Sequence, residues 1–266
     1  ATQVEFVRPI HWLILLLDEQ IINSRLYDQT ASNSTRGHRF HHPDQLTIDH
    51  PKDYASRLAS HGYFIADFNQ RKEMIRQDIV EKAKTTGGHV VIDENLLDEV
   101  TSLTEWPVAL VGAFDKRFLQ VPSEALIYTM KGNQKYFHIE DNQKQLLPYF
   151  ITVANIESKD VQQVISGNER VIRPRLEDAA FFYQTDQKIR LDQRVDKLRE
   201  VIFQQQLGSL SDKSKRVALL AAKIACVVGS DEALAQRAGE LSKTDLMTEM
   251  VLEFPELQGT MGRYYA

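Results

Sequence analysis

The spacing of apolar residues changes partway along this chain of 266 residues. Up to about residue 156, runs with the period of a β-strand alternate with runs at helical spacing, and beyond it the spacing is helical throughout. Between residues 191 and 206, apolar side chains recur at three- and four-residue steps, which predicts one amphipathic helix. The sequence therefore predicts an α+β fold, with a mixed α/β domain over residues 1–187 followed by an all-α helical bundle over 188–266.

Individual elements follow from the same patterns. Strands are predicted at residues 10–17, 20–24, 46–48, 62–66, 107–114, 134–139 and 148–153, and helices at 69–86, 93–103, 122–132, 161–168, 174–183, 191–206, 213–228, 231–241 and 245–254. The run over 10–17 is nearly continuous in apolar residues, so we expect it to be buried on both faces. Pro122 and Pro174 are expected to open helices, because proline is favoured at a first helical position.

Composition limits the function classes. Apolar residues make up 42% and charged residues 26% of the chain, which predicts a buried core. The net charge of −5 gives no global attraction for nucleic acid, so an RNA partner needs a local basic patch. The single cysteine, Cys226, excludes an internal disulfide and is expected to be buried in an apolar helix of a reduced, cytosolic protein. The apolar run over residues 12–17 is too short to span a membrane, and we expect none.

The two ends of the chain carry a further expectation. It starts at Ala1 without a methionine, and its last residues, 262–266, continue a helical pattern. Natural termini are usually polar and loosely ordered. We therefore expect a piece of a longer protein.

The segment Arg36-Gly37-His38-Arg39-Phe40-His41-His42 is the densest polar motif. Its three imidazoles could bind a divalent ion, but no cysteine or carboxylate stands at a typical spacing, so a polar loop is favoured and no metal is predicted. An anion site is the third interpretation. Arg36 and Arg39 offer forked donors for phosphate, with His38 between them, and Gly37 permits unusual backbone angles.

Two other segments carry cationic groups. Lys131, Gln134, Lys135 and Tyr136 surround a predicted helix end, where they could bind a phosphate or a base or form an ordinary surface turn. Arg173 and Arg175, together with Arg170, lie near several carboxylates, which favours an ion-pair network over phosphate binding. No phosphate-binding loop, dinucleotide fingerprint or nucleophile motif is present, so no catalytic residue is predicted.

Several ordered blocks resemble one protein family. They are Phe6-Val7-Arg8-Pro9-Ile10-His11, Arg36-Gly37-His38-Arg39-Phe40, Glu105-Trp106-Pro107-Val108, Val121-Pro122-Ser123-Glu124-Ala125-Leu126, Met130-Lys131-Gly132-Asn133-Gln134-Lys135-Tyr136-Phe137, Val153-Ala154-Asn155-Ile156-Glu157-Ser158-Lys159-Asp160, Gly167-Asn168-Glu169-Arg170-Val171-Ile172-Arg173-Pro174-Arg175-Leu176, Phe203-Gln204-Gln205-Gln206-Leu207-Gly208-Ser209-Leu210, and Glu249-Met250-Val251-Leu252-Glu253-Phe254-Pro255-Glu256-Leu257-Gln258-Gly259. Together they resemble the β subunit of the two-subunit bacterial glycyl-tRNA synthetase, over nearly the whole chain.

The resemblance implies a part of a class II aminoacyl-tRNA synthetase. In this family a cytoplasmic α2β2 heterotetramer attaches glycine to tRNA(Gly), and the α subunit carries the aminoacylation site with its ATP and Mg. The expected partners are therefore the α subunit, a second β subunit and tRNA(Gly), with no cofactor in this chain. The mixed part would resemble the editing-type module of the phenylalanyl-tRNA synthetase β subunit, and the helical part a truncated, degenerate HD-like module.

The implied role is RNA binding and scaffolding without catalysis. All eight histidines lie at or before His138, so the helical part cannot supply the adjacent His and Asp of an HD site, where Lys243-Thr244-Asp245 stands instead. Asp245 is then expected to be a helix cap or a surface carboxylate. The alternatives are an editing-type or HD-type hydrolase and a purely structural module that docks the α subunit.

Overall fold

A computed structural model describes residues 10–266, so the first four residues of the block over 6–11 lie outside the described part. The chain divides into two compact units. Unit 1 comprises the residues up to Ala113 together with Lys135–Asn168, and unit 2 comprises Phe114–Gln134 and Glu169–Ala266. The boundary predicted after residue 187 falls inside unit 2 and stays a prediction. The prediction of a mixed α and β chain is confirmed.

Unit 1 contains most of the strands. They are β1 (Leu13–Ile14), β2 (Leu16–Leu17), β3 (Gln20–Ile21), β4 (Arg25–Leu26), β5 (Gln29–Ser32), β6 (Ser34–Arg36), β7 (Gln45–Thr47), β8 (His89–Val90), β9 (Val108–Ala113), β10 (Phe137–Glu140) and β11 (Leu146–Ala154). Its complete helices are α1 (Tyr54–His61), α2 (Phe68–Lys84) and α3 (Glu94–Leu103). The predicted elements at 69–86, 93–103, 107–114, 134–139 and 148–153 are confirmed within a few residues.

The core of unit 1 lies between helices α2 and α3 and a four-stranded antiparallel sheet. The strand order is β8-β10-β11-β9, and Phe137 pairs with Ile151 across its centre. Ile75 and Ile79 of α2 and Leu97 of α3 pack against these strands with almost no exposure. Asp93 caps α3 by accepting the Leu96 N–H at 3.0 Å.

Strand β9 has a glycine, Gly112, where an aromatic ring packs on the face of the sheet that the helices do not cover. Gly112 is the cross-strand partner of Phe150, whose ring would lie 2.3 Å from a Cβ at this position. Tyr136 stacks on the same ring, with centroids 4.5 Å apart. The sheet is therefore packed on both faces, by helices on one and aromatic rings on the other.

Two predictions for unit 1 are wrong. The apolar run over 10–17 forms only the short strands β1 and β2 and is not buried on both faces, since Leu15 and Leu17 are largely exposed. β1 pairs in parallel with β5, and β2 pairs only with the exposed two-residue strand β3, so no packed sheet covers the run. The strand predicted at 62–66 is an irregular segment after α1, because its backbone bonds go to α1 and to the Glu105 carbonyl rather than to a strand.

Unit 2 is mostly helical. Its elements are α4 (Ser123–Tyr128), α6 (Leu210–Val228), α7 (Glu232–Leu241), α8 (Glu249–Glu253), α9 (Thr260–Tyr265), and the short strands β12 (Ile202–Gln204) and β13 (Gly208–Ser209). Helix α5 (Val161–Asp186) begins in unit 1 and supplies a long helix to unit 2. Among the described helices, none combines the length and the apolar character that a bilayer span requires.

Two helix predictions in unit 2 are wrong. The helices at 161–168 and 174–183 are one continuous helix with Pro174 inside it, and the buried Ile172 and Leu176 on either side of the proline pack as a single face. The amphipathic segment at 191–206 is a 3₁₀ helix, Leu191–Glu200, followed by the hairpin of β12 and β13. The second part is therefore not all-α, because the 3₁₀ helix ends at Glu200 and the backbone is extended from Val201.

Helices α6 and α7 meet through small residues. Gly239 of α7 lies so close to Ala218 of α6 that a Cβ would be 2.5 Å from the Ala218 Cα. This face of α6 buries Ser211, Ser214 and Ala218, and its opposite face carries the larger apolar side chains. Cys226 is exposed, so its predicted burial is wrong. Helix α6 packs against α7 through its small residues because only small side chains allow the two helices to approach so closely.

A buried carboxylate joins distant segments of unit 2. Asp186 pairs with Arg194 at 3.2 Å, and the side chains are 0% and 5% exposed. Its oxygens also accept the N–H groups of Glu249 and Met250 at 2.9 and 3.0 Å and the Tyr265 hydroxyl at 3.1 Å. Burial, the largest cause, and this carboxylate raise the pKa of Tyr265 well above its usual value. Asp186 thus ends α5 and caps α8 at the same point.

Candidate nucleic-acid interface

The motif over residues 36–42 begins at the last residue of β6, Arg36, and continues into the loop that leads to β7. Gly37 does not adopt a positive φ, contrary to the expectation that it permits unusual backbone angles. It is instead required by contact, because a Cβ would lie 2.6 Å from the Gly62 carbonyl oxygen. The next residue, His38, donates its backbone N–H to that same oxygen. The loop is therefore held against the segment that follows α1.

His38 is a structural residue rather than a surface ligand. Its side chain is buried, and its Nε2 lies 2.6 Å from the Asn155 carbonyl oxygen. Its Nδ1 accepts the backbone N–H groups of Phe40 and His41 at 3.3 Å. An Nδ1 that accepts two N–H groups leaves Nε2 to carry the proton. His38 therefore has no ring atom left for an anion, which corrects its prediction as an anion-binding residue.

Asn155, just past the end of β11, is the centre of this packing. Its Oδ1 accepts the N–H groups of Glu105 and Trp106 at 2.7 and 2.9 Å. His41 accepts the Glu157 N–H at 3.0 Å and stacks on Tyr63 with centroids 4.8 Å apart. The sequence did not identify Asn155 as a key residue, although its block was one of those that carried the resemblance. It connects three loops that are far apart along the chain.

These contacts use both imidazole nitrogens of His38 and the Nε2 atom of His41. The Nε2 atom of His42 is buried with no hydrogen-bond partner. Across the part of the chain that the structure describes, no group of three or more His, Cys, Asp or Glu residues could hold a metal ion. The loop offers its arginines, not its histidines, to a ligand.

The two arginines of the loop are exposed. Arg36 makes one hydrogen bond, at 3.5 Å to the Pro43 carbonyl oxygen, and has no carboxylate partner among residues 10–266. The Arg39 guanidinium lies 5.2 Å from the ring centroid of Phe40, which is 68% exposed. A guanidinium over an aromatic ring still presents its donors to solvent. Both positions suit phosphate contacts.

The cationic segment over 131–136 is divided between the units. Lys131 lies in a π-helical turn, Thr129–Asn133, that extends α4, and Gln134 ends that turn. Both are half-buried residues of unit 2. Such turns interrupt the regular bonding of a helix and are frequent at functional sites. The predicted helix end near Gly132 is confirmed.

Lys135 and Tyr136 belong to unit 1. Lys135 has a positive φ of 60° and pairs with Glu99 at 2.9 Å, so part of its charge is compensated. Tyr136 is only 3% exposed and donates its hydroxyl to Asn168 at 2.6 Å. Burial raises the pKa of Tyr136 to about 12. Its ring lies in the core and is not available to a base, which corrects its prediction as a stacking residue.

The arginines of α5 lie on its exposed surface. Arg170, Arg173 and Arg175 form no ion pair with any described residue, and the nearby Glu177 pairs instead with Arg117 at 3.0 Å. The predicted network of ion pairs is therefore wrong. Arg170 and Arg173 are three residues apart and share one face of the helix, whereas Arg175 points away from it. Because no described carboxylate pairs with these guanidinium groups, they are available to bind an external anion.

Asp245 acts as a capping group. It is 1% exposed, and its Oδ2 accepts the N–H groups of Gly259 and Gly262 at the start of α9. The helix-cap prediction is confirmed, and the alternative of a surface carboxylate is wrong. Oδ2 therefore bonds to the backbone of its own unit, whereas Oδ1 is buried without a hydrogen-bond partner.

Comparison with known proteins identifies the family. The family model for the glycyl-tRNA synthetase beta subunit matches residues 1–266. The chain belongs to this family. A glycine–tRNA ligase beta subunit of Hahella chejuensis is 61% identical over 266 residues, which cover all of this chain and 38% of the relative. The corresponding protein of Coxiella burnetii strain RSA 493 is 54% identical over 261 residues, which cover 98% of this chain and 38% of the relative.

The chain thus spans about two fifths of the length of the β subunits it matches, with 38% coverage of each relative cited here. Within this family member, two of the blocks that carried the resemblance have structural roles. Gly37 and His38 fix the loop, and Asn155 holds the loop in place. Arg36 and Arg39 flank Gly37 and His38, so the fixed backbone positions both arginines. Their side chains take no part in the contacts that fix the loop and remain exposed.

Proposed function

We propose that this chain supplies RNA-binding and scaffolding surfaces to a glycine–tRNA ligase, which attaches glycine to tRNA(Gly) with ATP. The aminoacylation site, its ATP and its Mg would lie on the α subunit, and a second β subunit would complete an α2β2 assembly. The observation that carries the proposal is a set of exposed guanidinium groups that have no carboxylate partner among residues 10–266, on a chain of net charge −5. The set is Arg36, Arg39, Arg170, Arg173 and Arg175.

Unpaired guanidinium groups are not needed for the stability of either unit. Exposed ion pairs contribute little to folding, and these side chains form none with any residue that the structure describes. They do offer planar, forked donors that match phosphate oxygens. Lys131 and Gln134 of unit 2 and Lys135 of unit 1 are further candidates for phosphate contacts, and the ion pair with Glu99 offsets part of the Lys135 charge. Binding to tRNA should then be driven by the release of counterions and fall steeply with salt.

The test is tRNA retention at two salt concentrations. Changing Arg36 and Arg39 together to Gln should weaken binding at low salt and lower the slope of log affinity against log salt by about 1 for each phosphate that no longer meets a guanidinium. Arg170→Gln with Arg173→Gln tests the other surface. Matched controls are Arg25→Gln and Arg199→Gln, exposed arginines that pair with Asp28 and Asp196. An unchanged slope in both double variants would remove these surfaces from the proposal.

A specific observation favours docking as a second function. Leu220, Ile224 and Val227 follow one another at helical spacing on the exposed face of α6 and are 59%, 53% and 86% exposed, beside Leu219 at 61%. So much contiguous apolar surface is unusual for a surface that faces only water. The relatives contain polypeptide that this chain does not cover, so we propose that the remainder of the β subunit packs on this face.

Cys226 reports on that face directly, because it is exposed on the same helix and is the only thiol in the chain. Its reaction with a thiol reagent should be fast in the chain and slow in an intact β subunit. Leu220→Ser with Val227→Ser should restore fast reaction there. Protection that appears only after the α subunit is added would identify α as the occupant instead. Fast reaction in every assembly would show that nothing covers the face.

The editing-type and HD-type relationships of the two parts remain hypotheses, and with them the hydrolase alternative. The arrangement of His38, His41 and Asp245, which all bond to backbone groups, favours a chain without its own chemistry. Incubation with mischarged tRNA tests this. Deacylation above the uncatalysed rate, abolished by substitution of a single residue, would establish the hydrolase.

A further inference from the structure

A surface cleft of about 440 Å³ lies beside the hairpin of β6 and β7 in unit 1. Ser34, Thr35 and Arg36 of β6 and Gln45 of β7 line one part of it, and His11 and Trp12, just before β1, line another. The volume is in the range of small-ligand sites. Sequence patterns predicted Arg36 as an anion-binding residue but not the role of Trp12, since only the fold brings the two together.

The strand pairing explains which groups face the cleft. Arg36 is the cross-strand partner of Gln45, and Ser34 is the partner of Thr47. Because side chains alternate along a strand, the side chains of Ser34 and Arg36 lie on the same face of the hairpin. A cation, an amide and a hydroxyl therefore lie along one side of the hairpin.

Arg36 supplies the cationic charge of this cleft. None of the described residues that line the cleft is a carboxylate, and within residues 10–266 Arg36 has only the long hydrogen bond to the Pro43 carbonyl oxygen. A guanidinium in this state has donors free for two oxygens of one phosphate. The cleft therefore favours an anionic ligand.

Trp12 adds a flat apolar surface next to that cation. Trp12 is 43% exposed. The centroids of the His11 and Trp12 rings are 6.4 Å apart, and the ring planes are inclined by 33°. Bases stack on such exposed rings in single-stranded nucleic-acid sites, and every base has a suitable face. The hydroxyl of Ser34 and the amide of Gln45 could bond to a ribose hydroxyl or a base edge.

We propose that this cleft binds one unpaired nucleotide of an RNA strand, with its phosphate on Arg36 and its base stacked on Trp12. The proposal rests on the RNA-binding function above and assigns it a specific subsite. A free nucleotide has the same chemistry, so it should bind at the same place but more weakly, because it lacks the neighbouring phosphates of a strand.

Trp12 makes the site directly observable. The chain has two tryptophans, and Trp106 lies outside the cleft, where it contacts the edge of Tyr63. In a Trp106→Phe background, fluorescence comes from Trp12 alone. A short single-stranded RNA oligonucleotide should quench it saturably, and adenosine monophosphate should quench it at higher concentration. Inorganic phosphate should compete with both without quenching.

Arg36→Gln in this background should weaken the quenching affinity about tenfold, as expected for loss of a charge-assisted hydrogen bond. Arg25→Gln, also exposed in unit 1 but outside the cleft, should leave it unchanged. Circular dichroism confirms that each variant is folded. The absence of quenching by RNA, or equal affinity in the Arg36 and Arg25 variants, would overturn the proposal.

The same samples separate this site from the wider function. If the chain retains tRNA and neither Trp12→Leu nor Arg36→Gln changes that retention, the proposed subsite is wrong and RNA binds elsewhere on the chain. If tRNA is not retained at all at low salt, the RNA-binding function itself fails. If phosphate displaces adenosine monophosphate but no RNA binds, the cleft is a site for free anions and the proposal is overturned.

Discussion

The Nε2 atom of His38 lies 2.6 Å from the backbone carbonyl oxygen of Asn155, across 117 residues of sequence. The same histidine accepts two backbone N–H groups of its own loop through Nδ1. A single imidazole therefore satisfies three backbone groups. This contact explains why a loop rich in cationic side chains holds one conformation, with Arg36 and Arg39 pointing outward.

His38→Ala should destabilise unit 1 without weakening an RNA contact directly. The substitution leaves the Asn155 carbonyl and two N–H groups without partners, at a cost of about 1–3 kcal/mol for each group that stays buried. Denaturant unfolding should show this destabilisation, whereas His89→Ala, at an exposed position of β8, should show little. Stability equal to that of the unchanged chain would contradict the structural role.

Gly239→Ala should destabilise unit 2, because the added methyl would meet the backbone of Ala218. Overpacking of this kind costs about 1–3 kcal/mol. Gly167→Ala is the matched control, since it also lies in a helix and its Cβ would meet nothing within 4 Å. It should stabilise α5 by about 0.5–1 kcal/mol. Thermal unfolding of the two variants should therefore shift in opposite directions.

Asp186→Ala should be among the most damaging substitutions in the chain. It leaves Arg194 as a buried cation without its partner, and breaking such a pair costs about 3–5 kcal/mol. The N–H groups of Glu249 and Met250 lose their acceptor as well. Asp186→Asn keeps an acceptor oxygen and should lose less stability. Equal unfolding free energies for the two variants would show that charge pairing, not the cap, dominates.

Tyr136 should make the chain sensitive to alkaline pH. Burial raises its pKa to about 12, above the value of about 10 for a phenol in an unfolded chain. The stability from a neutral buried phenol is therefore fully present below about pH 10 and is lost as the pH rises through about 12. Tyr136→Phe removes this ionisation, so its unfolding free energy should decline less over that window.

Ultraviolet titration of phenolate absorbance provides an independent measurement. The difference between the unchanged chain and Tyr136→Phe should be a single phenol that titrates near pH 12, provided that the fold persists. A difference that titrates near pH 10 would mean that the ring is exposed in solution and could then stack on a base.

Local patterns were sufficient for the elements that have strong periodicity and caps. Helices α2 and α3 and strands β9, β10 and β11 were predicted because their apolar residues repeat at one spacing and clear turn residues end them. The segment over 191–206 has the same helical spacing but forms a 3₁₀ helix and a hairpin. There the tertiary environment overrides the local preference, which it often does for short elements.

The candidate site was predicted only in part. The sequence was sufficient to pick out the arginines by their residue type and number, but it did not show which of the other polar residues are buried. His38 and Tyr136 have the polar groups of ligand-binding residues, yet both are in the interior because distant residues, Asn155 and Asn168, satisfy those groups. The local sequence does not indicate that a polar side chain will find its hydrogen-bond partner in a distant segment.

The sequence by itself determined the family, the mixed helix and strand content, and which segments carry cationic side chains, because these depend on residue identity and local spacing. Only the tertiary structure decided that the histidines hold a loop, that Cys226 faces outward, and that Trp12 and Arg36 line one cleft. Those outcomes depend on contacts between residues far apart in the chain, and such contacts are formed only when the whole unit has packed.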